Sequence, residues 1–321
     1  PLLPRGGRVG APGVGSGGGG AEGGAGGGGG SGVGGVGGGR FQGGPIRRYG
    51  GQGLMGEKIV SHFPEAATYL EPFFGAGSVF YAIPPGKYPH EVVNDLDSSL
   101  TTFFRVLRTR TEELALQLSR TPHSLDEFAA CLEHSPDELE EARRVWVRSR
   151  QGFSGVSSSR GKWGRNVAGT GGWPPHKTET KLSQLDSYAE RLRGVVIDNT
   201  DAVEFLDRWA RGDCFVYADP PYPHETRGTT KDYSHEMNPD QHRLLAESLN
   251  RAVARGCKVA VSSYDCDLYR ELYAGWRIVQ WDQTLQGNDK SVGVQKRVET
   301  MFLSYGRGDV PQQDGVLELF L

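Results

Sequence analysis

The chain has 321 residues, a hydrophobic fraction of 36% and a net charge of −3, enough for one large domain or two and without a global cationic surface. Any nucleic-acid contact must therefore be local. No apolar run approaches membrane-spanning length, and the four cysteines, Cys131, Cys214, Cys257 and Cys266, lack metal-ligand spacing, which predicts a reduced cytoplasmic protein without a structural metal.

Of the 48 glycines, 24 fall within the first 44 positions. Pro1–Gly44 has too little apolar content to bury a core and reads as a disordered arm, without the charged start, apolar centre and cleavage site of a secretory signal. The first Met is Met55, so the arm reads as native low complexity or as translation upstream of a later start, the second being preferred. From Pro45 the pattern turns globular. Arg47-Arg48-Tyr49-Gly50-Gly51-Gln52 leads into a short helix from about Leu54 to His62.

A β-prone run, Thr68-Tyr69-Leu70, precedes Glu71-Pro72-Phe73-Phe74-Gly75-Ala76-Gly77 and a helix-compatible apolar stretch. Glycines at such a junction let the backbone approach a ligand closely, while helix N-terminal amides face it. A second strand, Glu91–Val93, ends in Asn94-Asp95-Leu96-Asp97, about twenty residues beyond the glycines, where a doubly wound sheet carries the acid that binds ribose hydroxyls. Asp95 is preferred for that role because it sits nearer the strand end; helix capping is the alternative for both acids. A helix follows over Ser98–Arg108.

Residues 111–190 interrupt the alternation of strands and helices. Ser124-Leu125-Asp126-Glu127 reads as a capping box. Ser135-Pro136-Asp137-Glu138 opens a helix running to about Arg150, with Pro at its first position. From Arg143 to Lys177 there are eight Lys or Arg and no acid, interleaved with Trp146, Phe153, Trp163 and Trp173. A local basic and aromatic excess of this kind is the footprint of phosphate binding, with a solvated loop as the alternative. Alternation resumes with a helix near Leu182–Leu192, a strand at Gly194–Ile197, a helix at Ala202–Trp209 and a strand at Cys214–Ala218. Helix Asn238–Ala254 starts on an Asn cap with Pro239 first and Gln241 three beyond the cap. Strand Lys258–Ser262 and a hairpin of Trp276–Gln283 with Arg297–Ser304 complete an α/β pattern with an insertion between its early and late strands.

The strand Cys214–Ala218 ends in Asp219-Pro220-Pro221-Tyr222. The prolines stop the ladder and remove two donors, leaving carbonyls free to accept. A carboxylate, an unpaired carbonyl and an aromatic face within four residues suit a planar ring bearing an exocyclic amine.

Glu71-Pro72-Phe73-Phe74-Gly75-Ala76-Gly77, Asn94-Asp95-Leu96-Asp97 and Asp219-Pro220-Pro221-Tyr222, in that order, make residues 46–306 resemble the Dam-like class of DNA adenine methyltransferases. Arg48-Tyr49-Gly50-Gly51, Arg148-Ser149-Arg150-Gln151-Gly152-Phe153 and the closing hairpin belong to the resemblance; Gln52 stands where the family usually has Lys. The resemblance implies a Rossmann-like, seven-stranded, mostly parallel sheet with an antiparallel last strand, plus a mainly helical target-recognition insertion. It implies a methyltransferase core over 45–110 and 191–306, the insertion over 111–190 and a tail over 307–321. It implies S-adenosylmethionine as cofactor, held by Tyr49, Gly50, Gly51, Glu71, Phe73, Gly75, Gly77 and Asp95, with Asp201 near the cofactor's adenine. Double-stranded DNA would be held by Arg148, Arg150, Arg160, Lys162 and Arg165, and no metal is needed. Asp219, Pro220, Pro221 and Tyr222 would act on the N6 amine of a flipped-out adenine in a specific DNA sequence, without a covalent intermediate; the oligomeric state is left open, a monomer being compatible with it. The rival readings are N4-cytosine methylation by the same chemistry and a DNA-binding relic with a degenerate core. Methylation at cytosine carbon needs a thiol nucleophile, and no Cys here follows Pro. The residues leave open a role in restriction-modification, host-DNA protection or a phage.

Overall fold

The computed structural model describes residues 41, 43–47, 55–152, 163, 175–222, 237–285 and 295–310. The chain divides between Gly39 and Arg40, and the fold is that of the unit Arg40–Leu321.

The strand Cys214–Ala218 (β4) is buried at all five positions, as a parallel strand covered on both faces must be. It lies parallel to Thr68–Glu71 (β1), with Leu70 opposite Val216, and to Lys258–Tyr264 (β5), with Val216 opposite Val259. His90–Asn94 (β2) and Val196–Asp198 (β3) extend the parallel sheet beyond β1, while Gln295–Leu303 (β7) and Arg277–Leu285 (β6) close it antiparallel beyond β5. The seven-stranded order is β3-β2-β1-β4-β5-β7-β6.

The period of two divides the core between the sheet's faces. Tyr69, Phe215 and Tyr217 point to one side and join Phe63, whose ring meets Phe215 edge-on at 4.6 Å. That side is covered by Gly56–Val60 (α1), Ser98–Thr109 (α2), Glu138–Gln151 (α5) and Leu185–Arg191 (α7). Leu70, Val216 and Ala218 point to the other side, under Ala202–Trp209 (α8), Pro239–Ala254 (α9) and Asp267–Leu272 (α10). The start of α9 is the expected capping box: Asn238 Oδ1 accepts from Gln241 N–H, and Gln241 Oε1 accepts from Asn238 N–H, both at 2.9 Å. A cap of this kind contributes about 1 kcal/mol.

The insertion is helical, comprising Thr111–Ser119 (α3), Leu125–Ala130 (α4), α5 and Pro175–Leu182 (α6). It shares the sheet's core, since Leu139, Ala142, Val145 and Trp146 of α5 join the same apolar cluster and Trp146 stacks on Phe103 of α2 at 6.4 Å.

Four expectations change. The stretch after Gly77 forms only a 3-10 turn, Phe80–Ala82, because Pro84-Pro85 cuts it short before a helix can propagate. Asp137, rather than Ser135, caps α5, accepting from Glu140 N–H at 2.8 Å. Cys214 and Cys257 form a disulfide instead of two reduced thiols, because the β4–β5 register sets them side by side with Cα atoms 4.8 Å apart.

The fourth change is the start of the fold. Phe41, the first described residue and part of the expected arm, is packed: its ring lies 4.6 Å from Tyr188 and 5.3 Å from Tyr81. Tyr188 donates its hydroxyl to the Gly43 carbonyl at 3.1 Å. Gly44 passes so close to the glycine turn that a Cβ there would fall 1.9 Å from the Ala76 carbonyl oxygen. Among the described residues, no helix is long and apolar enough to cross a membrane.

Candidate active site at the carboxyl edge of the sheet

Because β2, β1 and β4 are parallel neighbours, their carboxyl ends deliver Asp95, Glu71 and Asp219 to one edge. The turn after β1 is built against the end of β2: Phe74 N–H donates to the Asn94 carbonyl at 2.8 Å. Gly75 and Gly77 have φ of 53° and 70°, left-handed values that favour glycine. Gly75 N–H donates to Asp95 Oδ2 at 2.7 Å, and Asp97 N–H donates to Asp95 Oδ1 at 2.9 Å. Asp95 thus fastens the glycine turn to its own loop, while Asp97 is the N-cap of α2, accepting from Ser99 N–H. Phe73 is half-buried against the α8–α9 side of the core. Asp201 is exposed and caps α8 through Val203 N–H at 2.8 Å.

Two asparagines absent from the expected site hold this edge together. Asn94 donates to the carbonyls of Pro72 and Thr200, each at 3.0 Å, and accepts from Thr200 N–H. Asn199 donates to the Asp95 carbonyl at 2.6 Å. The signal in the sequence was position: both flank the strand ends that carry the acids.

The edge gathers buried acids. Glu71 is buried and accepts from Tyr69 OH at 2.8 Å. Burial raises its pKa well above the ordinary carboxylate value; the Tyr69 bond opposes this, and the charges of Asp219, Glu91 and Asp95 add to it. Asp219 is half-buried as a residue, yet its Oδ1 has no solvent access and no hydrogen-bond partner among the described residues. Burial first, then the charge of Glu299, pushes its pKa up to about 8, while a hydrogen bond from Tyr222 opposes the rise. Mutually repelling carboxylates beside a glycine turn fit a cationic ligand such as a sulfonium, and an orphaned acceptor fits an amine donor.

Pro220 is buried, Pro221 half-buried and Tyr222 buried. The Tyr222 ring meets Tyr264, the last residue of β5, edge-on at 4.7 Å, and its hydroxyl donates to Glu299 on β7. Glu299 is 2% exposed and was not anticipated as a site residue, because alternation along β7 does not reveal that its one acid turns inward at this edge of the sheet.

The basic region is corrected in part. Arg148 and Arg150, expected at a DNA surface, are 2% and 1% exposed. Arg148 pairs with Glu141 at 2.7 Å and donates to the Cys131 carbonyl at 2.9 Å. Arg150 donates to the Pro45 carbonyl and lies over the Trp146 ring at 5.1 Å. Between them, Ser149 Oγ bonds to both the N–H and the carbonyl of Arg47. This segment therefore grips the chain leading to Tyr49-Gly50-Gly51. Arg143 and Arg144 pair with Glu140, and Arg143 also with Glu127. Tyr49, Gly50, Gly51, Arg160, Lys162 and Arg165 lie outside the described residues.

The strand order, the glycine turn fastened by a strand-end acid and the Asp-Pro-Pro-Tyr corner define a Rossmann-like methyltransferase dependent on S-adenosylmethionine. The model of the D12 class of N6 adenine-specific DNA methyltransferases matches residues 50–286, and the chain belongs to that family. Its reaction is transfer of a methyl group from S-adenosylmethionine to N6 of adenine in DNA. Among curated relatives, a DNA adenine methylase of Vibrio cholerae is 28% identical over 252 residues, 74% of this chain and 88% of the relative. A DNA adenine methylase of Escherichia coli is 26% identical over 274 residues, 81% of this chain and 94% of that one. A type II methyltransferase of Lactococcus lactis subsp. cremoris is 28% identical over 269 residues, 79% and 90% of the two chains. A SAM-dependent methyltransferase structure from Agrobacterium tumefaciens is similar with a TM-score of 0.35 and 9% identity, over 78% of this chain and 60% of that one, too slight a likeness to add to the topology.

Proposed function

We propose that Asp219 is the residue that activates the adenine amine, and that the acidic edge beside it is the cofactor site. The observation that carries this is Asp219 Oδ1, a buried acceptor at the end of the central strand with no hydrogen-bond partner among the described residues. An exocyclic amine is a poor nucleophile because its lone pair is delocalised into the ring. Asp219 and the Pro220 carbonyl accept its two N–H bonds and draw the nitrogen towards a tetrahedral geometry with an available lone pair. This is electrostatic preorganisation aimed at developing charge. Asp219 accepts more strongly when ionised, so its raised pKa ties activity to pH. Tyr222 offers its ring to the base after flipping.

Bound S-adenosylmethionine supplies an electrophilic methyl group. Glu71, Phe73, Gly75, Gly77 and Asp95 would hold it, with Tyr49, Gly50 and Gly51 from the preceding segment and Asp201 at the neighbouring strand end. The acids attract its positive charge, and Asp95 adds an acceptor for ribose hydroxyls. Arg160, Lys162 and Arg165 are the proposed phosphate contacts to duplex DNA. The similarity to DNA adenine methylases favours action in the cytoplasm. The similarity to a type II methyltransferase favours a place in restriction-modification.

Base-resolved methylation sequencing of DNA from cells expressing the full chain tests the reading. Methyl groups on adenine N6 within one short sequence are expected. Methylation confined to cytosine N4 would replace the substrate, and its complete absence with DNA binding retained would favour the relic.

A further inference from the structure

We propose that Glu299 is a positioning residue of the reaction, anchoring from the antiparallel strand β7 the Tyr222 hydroxyl and, through it, the corner that carries Asp219. This rests on the reading of Asp219 given above and extends it to a residue outside all three motifs.

The geometry comes from sheet register. Tyr264 of β5 and Glu299 of β7 are directly paired across the antiparallel ladder, with Trp281 of β6 on the other side of Glu299. The two paired residues divide the hold on Tyr222: Tyr264 meets its ring at 4.7 Å and 80°, and Glu299 Oε1 accepts from its hydroxyl at 2.5 Å. Tyr222 is joined to Asp219 through the stiff pair Pro220-Pro221, so fixing the phenol also fixes the backbone that carries the Pro220 carbonyl.

The choice of residue is the second part of the inference. A neutral Gln or a Ser could accept the phenol's hydrogen bond. An acid 2% exposed carries a desolvation cost, and here it also repels Asp219. A like charge facing a carboxylate at a strand end is an arrangement that tunes a functional group. The groups facing Asp219 are Glu71 from β1, Tyr217 from β4, Tyr222 from its own loop, Tyr269 from α10 and Glu299 from β7. Glu299 is the carboxylate whose charge raises Asp219 most directly.

The test compares Glu299→Gln, Glu299→Ala and Tyr222→Phe in the full chain. Two readouts are used: single-turnover methylation across pH, and carboxyl carbon NMR titration with Asp219→Asn assigning the Asp219 signal. Glu299→Gln keeps an acceptor and loses the charge. Its Asp219 titration and the acid limb of its rate profile should both fall by about one pH unit, with the alkaline plateau retained. Glu299→Ala and Tyr222→Phe should each lose about tenfold or more in rate at every pH, the loss expected for a hydrogen bond to a charged group. S-adenosylhomocysteine affinity reports that each variant is folded, and should stay unchanged. Should Glu299→Ala fail to fold, Glu299→Gln alone decides. An Asp219 titration identical in Glu299→Gln and wild type would overturn the proposal, as would an alkaline rate as low in Glu299→Gln as in Glu299→Ala. The NMR titration is independent of turnover, so a wild-type chain without adenine methylation would sink the functional reading while leaving the Glu299 claim separately readable.

Discussion

Gly75 donates its backbone N–H to the carboxylate of Asp95 at 2.7 Å, tying the turn after β1 to the acid after β2. The bond joins two motifs separated by twenty positions and makes Asp95 a loop fastener beside its proposed role as a cofactor ligand. Asp95→Ala should weaken S-adenosylhomocysteine binding by about tenfold to a hundredfold, the loss expected for one charged hydrogen bond together with a loosened turn. Asp95→Asn, which retains one acceptor, should lose less. Calorimetry decides, and full affinity in a folded Asp95→Ala protein would remove Asp95 from the site.

The two groups of basic residues should behave differently. Arg148 is paired with Glu141 out of solvent, so Arg148→Ala leaves a buried carboxylate uncompensated and should cost about 3–5 kcal/mol in urea unfolding. Its effect on the salt dependence of DNA binding should be negligible. Neutralising Arg160, Lys162 and Arg165 together should leave stability alone and reduce the salt slope by about one for each phosphate no longer neutralised. A salt slope that changes with Arg148 and not with the triple variant would reverse the assignment.

The position of Phe41 makes truncation informative. Removing residues through Gly39 should leave melting and methylation unchanged, since the chain divides there and the segment is mostly glycine. Removing residues through Gly44 deletes the Phe41 ring packed on Tyr188 and the Gly43 carbonyl bonded to its hydroxyl. That truncation should lose about 2–4 kcal/mol, the scale of one buried aromatic and one hydrogen bond. Equal melting temperatures for the two truncations would contradict this packing.

Asp219 also sets a pH dependence of stability. Its pKa is raised in the folded state from 3.8 to about 8, so the folded protein holds a proton that the unfolded chain releases. The contribution is fully present below about pH 4 and is lost as pH rises through about 8. Asp219→Asn, which cannot ionise, should therefore be more stable than wild type at pH 8 by about 1–2 kcal/mol, a figure discounted for the half-buried position. The difference should vanish near pH 4. Chemical denaturation at the two pH values measures it, and a variant less stable than wild type at pH 8 would contradict it.

The parallel strands, the closing hairpin and the α9 cap were legible because local chemistry and tertiary structure agree there. A five-residue apolar run such as Cys214–Ala218 has little choice but a doubly covered strand, and Asn238-Pro239-x-Gln241 satisfies its own helix end. Features depending on which partner a residue meets in the fold were not legible. The acid-free run that starts at Arg143 is bordered, within one helical turn, by Glu140 and Glu141, and i, i+3 and i, i+7 spacing sets them against Arg143 and Arg148. Phe41 looked like part of a glycine tail because its partners, Tyr81 and Tyr188, are far along the chain. Glu299 was hidden for the same reason, its meaning resting on register with Tyr264 and contact with Tyr222.

The central claim is that Asp219 activates the adenine amine, and single-turnover methylation of duplex DNA by Asp219→Ala tests it most directly. With DNA and S-adenosylhomocysteine affinities largely kept, the rate should fall by about a hundredfold or more, as for removal of a preorganised polar group. Methyl transfer at the wild-type rate by a folded Asp219→Ala protein would contradict the account.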